Sequence, residues 1–236
     1  MGSCVLVMLM KGEDVHVMNI GDSRVVLARR RDPDLNNILG KATPKDLQQL
    51  KAEIMDGLQS VQFNDEHNTS VEEEVKRITV EHTDSNAIIH GRVKGKLNIT
   101  RAFGAGYLKE PKWNSVLLPS FKIDYIGKGP YIICIPSLHH YRIGPNDQFL
   151  VLSCGGLYQY FTNKEVVDEV EMFTAVYPKG NPTEHLVREL VLRAARKSGM
   201  DYHELLNISH DKRRRYHDDV SVIMISFKGR MWRSPV

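Results

Sequence analysis

A chain of 236 residues, 42% of them hydrophobic, carries apolar material for one globular domain or at most two small ones. Thirty-two basic against 29 acidic side chains leave a net charge of +3, too small to make nucleic acid or an anionic membrane the expected partner. Cys4, Cys134 and Cys154 form neither a CxxC pair nor a disulfide framework, which points to a reducing, intracellular setting, cytoplasm or nucleus, and no apolar run reaches the ~18 residues of a membrane span.

Taken in chain order, the first segment reads as a hairpin. Met1-Gly2-Ser3-Cys4 resembles an acylated N-terminus, but Leu6 stands where the myristoylation pattern has Ser or Thr, and Cys4 to Met10 reads as a buried strand. Lys11-Gly12-Glu13-Asp14 is a polar turn, and Val15 to Ile20 alternates with Val15, Val17 and Met18 as candidates to face inward. Gly21-Asp22-Ser23-Arg24 is a second turn and Val25 to Ala28 a third strand. Such an opening hairpin is expected to show an apolar face or an unpaired edge. Residues 30–66 are polar and mixed, with a helix expected from Pro44 to Leu58. Val71, Val75 and Ile78 recur at helical spacing and predict a helix over 70–82. Leu97 to Phe103 reads as a short strand before a glycine turn, and Ile132 to Ile135 and Phe149 to Ser153 read as strands. Thr162-x-x-Glu165 is a capping box for a helix over 163–173. Asn181-Pro182-Thr183-Glu184 opens another, with Leu186, Val187, Leu190, Val191 and Ala194 on one face and its end at Gly199. Val220 to Phe227 is a final strand, and His139-His140, which lack a partner at metal-ligand spacing, read as loop.

Four segments line up with a known family. Gly21-Asp22-Ser23-Arg24 resembles a GDSR motif, and Leu97 to Gly104 resembles L-x-V-[ST]-R-A-[LF]-G. Leu150 to Leu157 resembles a hydrophobic strand followed by S-x-D-G, and His217-Asp218-Asp219-Val220-Ser221 resembles a closing D-[ND]-x-[ST]. Together they resemble the type 2C metal-dependent serine/threonine protein phosphatases. Ala102 to Gly106, Leu157 to Asn163 and Arg214 to Asp219 are most similar to the plant POLTERGEIST-like group. The resemblance implies an α+β fold, an α/β/β/α sandwich of antiparallel sheets, with residues 1–236 forming a partial domain incomplete at its N-terminus. It also implies hydrolysis by two Mg²⁺ or Mn²⁺ ions that activate a bridging water, held by oxygen ligands.

The departures from the pattern set the functional expectation. No Asp-Gly-His-Gly-Gly segment occurs, Gly155 stands in place of the S-x-D-G aspartate, and Gln159 occupies a position where many members are acidic. Of the family's metal ligands only Asp218 remains, as a vestige, so neither a catalytic nor a cofactor-binding residue is assigned and no cofactor is expected. The chain is expected to be a catalytically inactive phosphatase-like protein. The alternatives are an active Mg²⁺/Mn²⁺-dependent serine/threonine phosphatase with its N-terminal segment absent, and a non-catalytic module binding a kinase or phosphoprotein. Several residues keep a bland reading beside a functional one: Asp22 as a turn cap, Arg101 as an ion-pair residue, Cys154 as a strand-end cysteine, and Lys212 to Arg215 as a solvated loop rather than a nuclear signal or a phosphate-attracting rim.

Overall fold

A computed structural model describes residues 2–30 and 57–229. The helix expected over Pro44 to Leu58 falls almost wholly outside the described residues. In chain order the strands are β1 (Gly2–Ser3), β2 (Val5–Lys11), β3 (Asp14–Ile20), β4 (Arg24–Arg29), β5 (Gln59–Gln62), β6 (Ile88–Ile89), β7 (Arg92–Val93), β8 (Phe103–Gly104), β9 (Ser137–Arg142), β10 (Asp147–Ser153) and β11 (Val222–Ser226). The α-helices are α1 (Glu72–Glu81), α2 (Pro111–Ser115), α3 (Asn163–Val176), α4 (Pro182–Lys197), α5 (Tyr202–Asn207) and α6 (His210–Arg213). Antiparallel pairing and helices occur together, as the expected α+β class requires.

The chain divides into two compact units, residues 1–24 with 64–142 and residues 25–63 with 143–236. The first holds the hairpin, in which β2 pairs with β3 from Val5↔Ile20 to Lys11↔Asp14 and β9 adds to the far side of β3. Strand β3 alternates: Val15, Val17 and Asn19 are buried, while Met18, opposite Val7 and Leu138, lies with the outward set. Strand β2 is an edge of its sheet and exposes Val7, Leu9 and Met10. His139 and His140, read as loop, lie in β9; His140 stacks on His16 across the sheet with ring centroids 4.6 Å apart. Strand pairing decided that position, because the exposed side of an antiparallel sheet tolerates histidines. A separate core gathers Ile78 of α1, Val93, Ala102, Leu108, Tyr131 and Ile132. The segment Leu97 to Phe103 is not a continuous strand: it makes single bridges, Val93↔Leu97, Asn68↔Ile99 and Arg101↔Ile133, before β8.

The second unit is a four-stranded sheet in the order β11-β10-β4-β5. Strand β10 is interior and all seven of its residues are buried, which is why it reads as an apolar run. Phe149 and Val151 join Val166, Val167 and Val170 of α3 and Leu186, Leu190 and Ala194 of α4 in one core. Both helices start where expected. The Thr162 hydroxyl accepts from the Glu165 N–H while the Glu165 carboxylate accepts from the Thr162 N–H, and Asn181 caps Thr183 ahead of Pro182. Helix α5 was not expected, although Asp201 and Glu204 form the same reciprocal box.

Candidate functional site

In the second unit, Ser153 at the end of β10 donates its hydroxyl to the Ser221 carbonyl at 2.9 Å, and the Cys154 N–H reaches the same carbonyl at 3.3 Å. The Cys154 thiol donates to the Asp219 carbonyl at 3.2 Å and accepts from the Ser221 N–H at 3.2 Å. Cys154 is half-buried and engaged with backbone, as a strand-end cysteine would be. The chain turns there so closely that a Cβ on Gly156 would sit 2.6 Å from the Asp219 carbonyl oxygen. The S-x-D-G-like turn and the closing motif are therefore brought together, and Gly155 and Asp218 belong to one neighbourhood.

Asp218 itself is a surface group. Its side chain is 43% exposed, its Oδ1 accepts from the Asp219 N–H at 3.0 Å, and the Arg214 guanidinium lies 3.3 Å away. Beside it His217 donates from Nδ1 to the Asp218 carbonyl at 2.9 Å. The basic run 212–215 is partly structural: Arg213 donates to the carbonyls of Leu206 and Ile208 and closes the end of α5. Among the described residues no three His, Cys, Asp or Glu side chains are grouped to hold a metal ion. One exposed carboxylate, a thiol and an adjacent guanidinium are a poor donor set for two hard divalent ions, which want several oxygens. The donors in hand do not fit a complete two-ion centre.

The first unit holds a cluster that the sequence reading missed. Glu74, on the inner face of α1 and 4% exposed, accepts from the Thr100 hydroxyl at 2.6 Å, from Arg101 Nε at 3.0 Å and Nη2 at 2.5 Å, and from Arg77 at 3.2 Å. Burial alone would raise its carboxyl; the bonds from Arg101 and Thr100 and the charges of both arginines outweigh it and hold the group at about 2. Arg101 is thus an ion-pair residue, as the plainer reading of the sequence had it. His67, 1% exposed, accepts at Nδ1 from the Gly21 N–H at 3.1 Å, and its own N–H donates to the Gly21 carbonyl at 2.9 Å. Its carbonyl accepts from the Thr100 N–H at 2.9 Å. His67 therefore ties the Gly21-Asp22-Ser23-Arg24 turn to the Thr100-Arg101 segment, and burial followed by the Arg101 charge lowers it to about 4. Gly21 has φ +111° and a Cβ there would lie 2.3 Å from the Cys4 Sγ, so the turn requires glycine. Asp22 accepts from the Cys4 thiol at 3.4 Å. The available signal was Glu74 itself, four residues before Ile78 on the apolar face of a helix.

A family model described as Protein phosphatase 2C matches residues 1–201. This chain belongs to the protein phosphatase 2C family. It is 64% identical over 244 residues to "Probable protein phosphatase 2C 31" of Oryza sativa subsp. japonica, covering 100% of this chain and 38% of the relative. It is 54% identical over 249 residues to "Probable protein phosphatase 2C 4" of Arabidopsis thaliana, again 100% of the chain and 38% of the relative. The chain spans about two fifths of the length of these plant relatives. Among solved structures, that of a C. elegans sex determining protein matches with a TM-score of 0.55 at 19% identity, covering 94% of this chain and 40% of that one. A serine-threonine phosphatase 2C from Toxoplasma gondii matches at 0.50 and 16%, covering 94% and 57%. These two show the fold alone.

Membership corrects one expectation. Family members are metal-dependent phosphatases using Mg²⁺ or Mn²⁺, so the expectation of no cofactor is overturned. The reason it failed is that it was drawn from a count of carboxylates in one chain, whereas the ion follows from the hydrolytic chemistry of the fold. Among the described residues no helix is long and apolar enough to cross a membrane.

Proposed function

We propose that this chain is a type 2C phosphatase-like protein whose own residues do not turn over a phosphoester, with Asp218 the remaining metal ligand. The observation that carries this reading is Gly155. The turn around it keeps the motif's neighbours, Ser153, Gly156 and the closing Asp218-Asp219, yet the position that resembles the family's aspartate has no carboxylate. Mg²⁺ or Mn²⁺ remains the ion such a fold uses, and Asp218 is where it would meet this chain. Orienting a water and stabilising attacking and leaving oxygens takes a pair of ions, and one carboxylate shared with Arg214 does not hold a pair. Placement in the POLTERGEIST-like group rests on the three stretches quoted above and agrees with plant relatives. An intracellular setting rests on the low, odd count of three cysteines with no CxxC pair. Binding a kinase or phosphoprotein without chemistry goes with this reading.

A second reading is favoured by coverage: the chain spans about two fifths of relatives called phosphatases, and carboxylates outside these residues would complete an active serine/threonine phosphatase. Gly155 separates the two, because added sequence does not restore a residue changed inside the chain. The test is hydrolysis of a phosphothreonine peptide with Mn²⁺, using the chain, Gly155→Asp, and both joined to the N-terminal part of the rice relative. Turnover is expected only from the joined Gly155→Asp protein. Metal-dependent turnover by the unaltered chain, lost in Asp218→Asn, overturns the proposal.

A further inference from the structure

The outward face of the β2-β3-β9 sheet carries two histidines that neither motif cluster uses. His16 of β3 and His140 of β9 stand directly opposite in register, so both side chains leave the same face. Their rings stack at 24° with centroids 4.6 Å apart. His139, one residue earlier, takes the other face, where its Nε2 lies 3.2 Å from Asp65. The partner that His140 lacks along the chain is thus supplied across the sheet.

A third side chain sets the His140 ring. Its Nε2 donates to Asp14 Oδ1 at 2.9 Å. A carboxylate only accepts, so Nε2 carries the proton and Nδ1 of the neutral ring keeps its lone pair. A carboxylate behind one ring nitrogen is the arrangement that orients a metal-binding imidazole and raises its basicity. The spacing fits as well. Metal–nitrogen bonds of ~2.0–2.1 Å put an imidazole centre roughly 3 Å from an ion, so two rings side by side around one ion have centres about 4.5–5 Å apart. The pair already stands at that separation. Both side chains are exposed, and the soft torsion between Cβ and the ring lets their nitrogens turn onto one ion. A hollow of about 270 Å³ beside them, lined by Val7, Leu9, Met18 and Leu138, leaves room for its waters. The nearby cations are balanced: Lys11 and Arg142 stand opposite Asp14 in register, and Arg142 pairs with Glu13 at 3.1 Å.

We propose that His16 and His140 chelate one first-row transition ion of the class Zn²⁺, Ni²⁺ or Cu²⁺, with Asp14 as the positioning carboxylate and water in the remaining positions. Imidazole donors select that class, whereas Mg²⁺ and Mn²⁺ go to carboxylates, carbonyls and water. The site uses neither Gly155 nor Asp218, so it stands whether or not the chain is catalytic. An ion held there clips β3 to β9 and stabilises the fold in step with its occupancy.

The test titrates the full chain, kept reduced, with Ni²⁺ by isothermal titration calorimetry. One site is expected, undisturbed by excess Mg²⁺ and unchanged in Asp218→Asn. Asp14→Asn should weaken it about tenfold, and His16→Gln and His140→Gln by at least as much. Without metal all three variants should melt as the native chain does, because these side chains are exposed. Ni²⁺ should raise the melting temperature of the native chain and not that of the histidine variants. No binding at millimolar Ni²⁺, binding undiminished in either histidine variant or in Asp14→Asn, loss in Asp218→Asn, or displacement by Mg²⁺ each overturns the proposal.

Discussion

Glu74 and Asp218 are both acids beside arginines, one in each unit, and their surroundings are opposite. Glu74 is nearly closed off and receives bonds from Thr100, Arg101 and Arg77. Asp218 stands 43% exposed with a neighbouring N–H and one arginine at 3.3 Å. A buried charge persists only when its partners are complete, so the Glu74 cluster is constrained as a unit. An exposed pair is screened and costs little to lose. The motif that looks most chemical in the sequence is therefore the looser of the two, and the acid that no motif contains is the tighter.

The comparison can be broken by substitution. Glu74→Ala should be the most damaging change, on the order of 3–5 kcal/mol in chemical denaturation, because it leaves Arg101 and Arg77 largely buried without their shared acceptor. A cost below about 1 kcal/mol would show that these arginines find water instead. Gly21→Ala should cost roughly 2–4 kcal/mol, since it combines a positive φ with overlap onto Cys4; Gly12→Ala, with a positive φ and open space around it, should cost clearly less by the same measurement.

Acid sharpens the same contrast. His67 is lowered from 6.5 to about 4, so the unfolded chain takes up its proton first and stability falls as pH drops from about 6.5 toward 4. Glu74, lowered from 4.5 to about 2, adds a second loss between those values as its carboxylate is protonated. The His67 step should amount to roughly 3 kcal/mol, read as a falling denaturation midpoint between pH 7 and pH 4. His67→Gln, neutral throughout, should flatten the upper part of that slope; an unchanged slope would assign the acid sensitivity elsewhere. The smallest effect is expected for Asp218→Asn, within about 0.5 kcal/mol. A larger loss would make the Arg214 pair structural and would weaken the reading of Asp218 as a metal ligand.

Much of the scaffold was legible from local pattern. The hairpin turn at Gly12, the interior run Phe149 to Ser153 and the starts of α3 and α4 follow from alternation, apolar runs and caps, which act within a few residues of themselves. Strand β9 and the bridged segment 97–103 were misread because their backbone bonds go to partners distant in sequence. The motif residues Asp22, Arg101, Gly155 and Asp218 could be named, yet their surroundings could not. Arg101 became an ion-pair residue only because α1 brings Glu74 against it.

Four short motifs were enough for the resemblance to type 2C phosphatases, which in turn implied the α+β class, and for the reading of Gly155 against the family's aspartate, because each motif is a property of neighbouring residues. Tertiary structure alone decided that His67 clamps the Gly21 turn, that Glu74 gathers two arginines, and that His16 meets His140 across the sheet. Those depend on which distant segments meet, and whether a buried charge or donor finds a partner there is settled by packing rather than by sequence spacing.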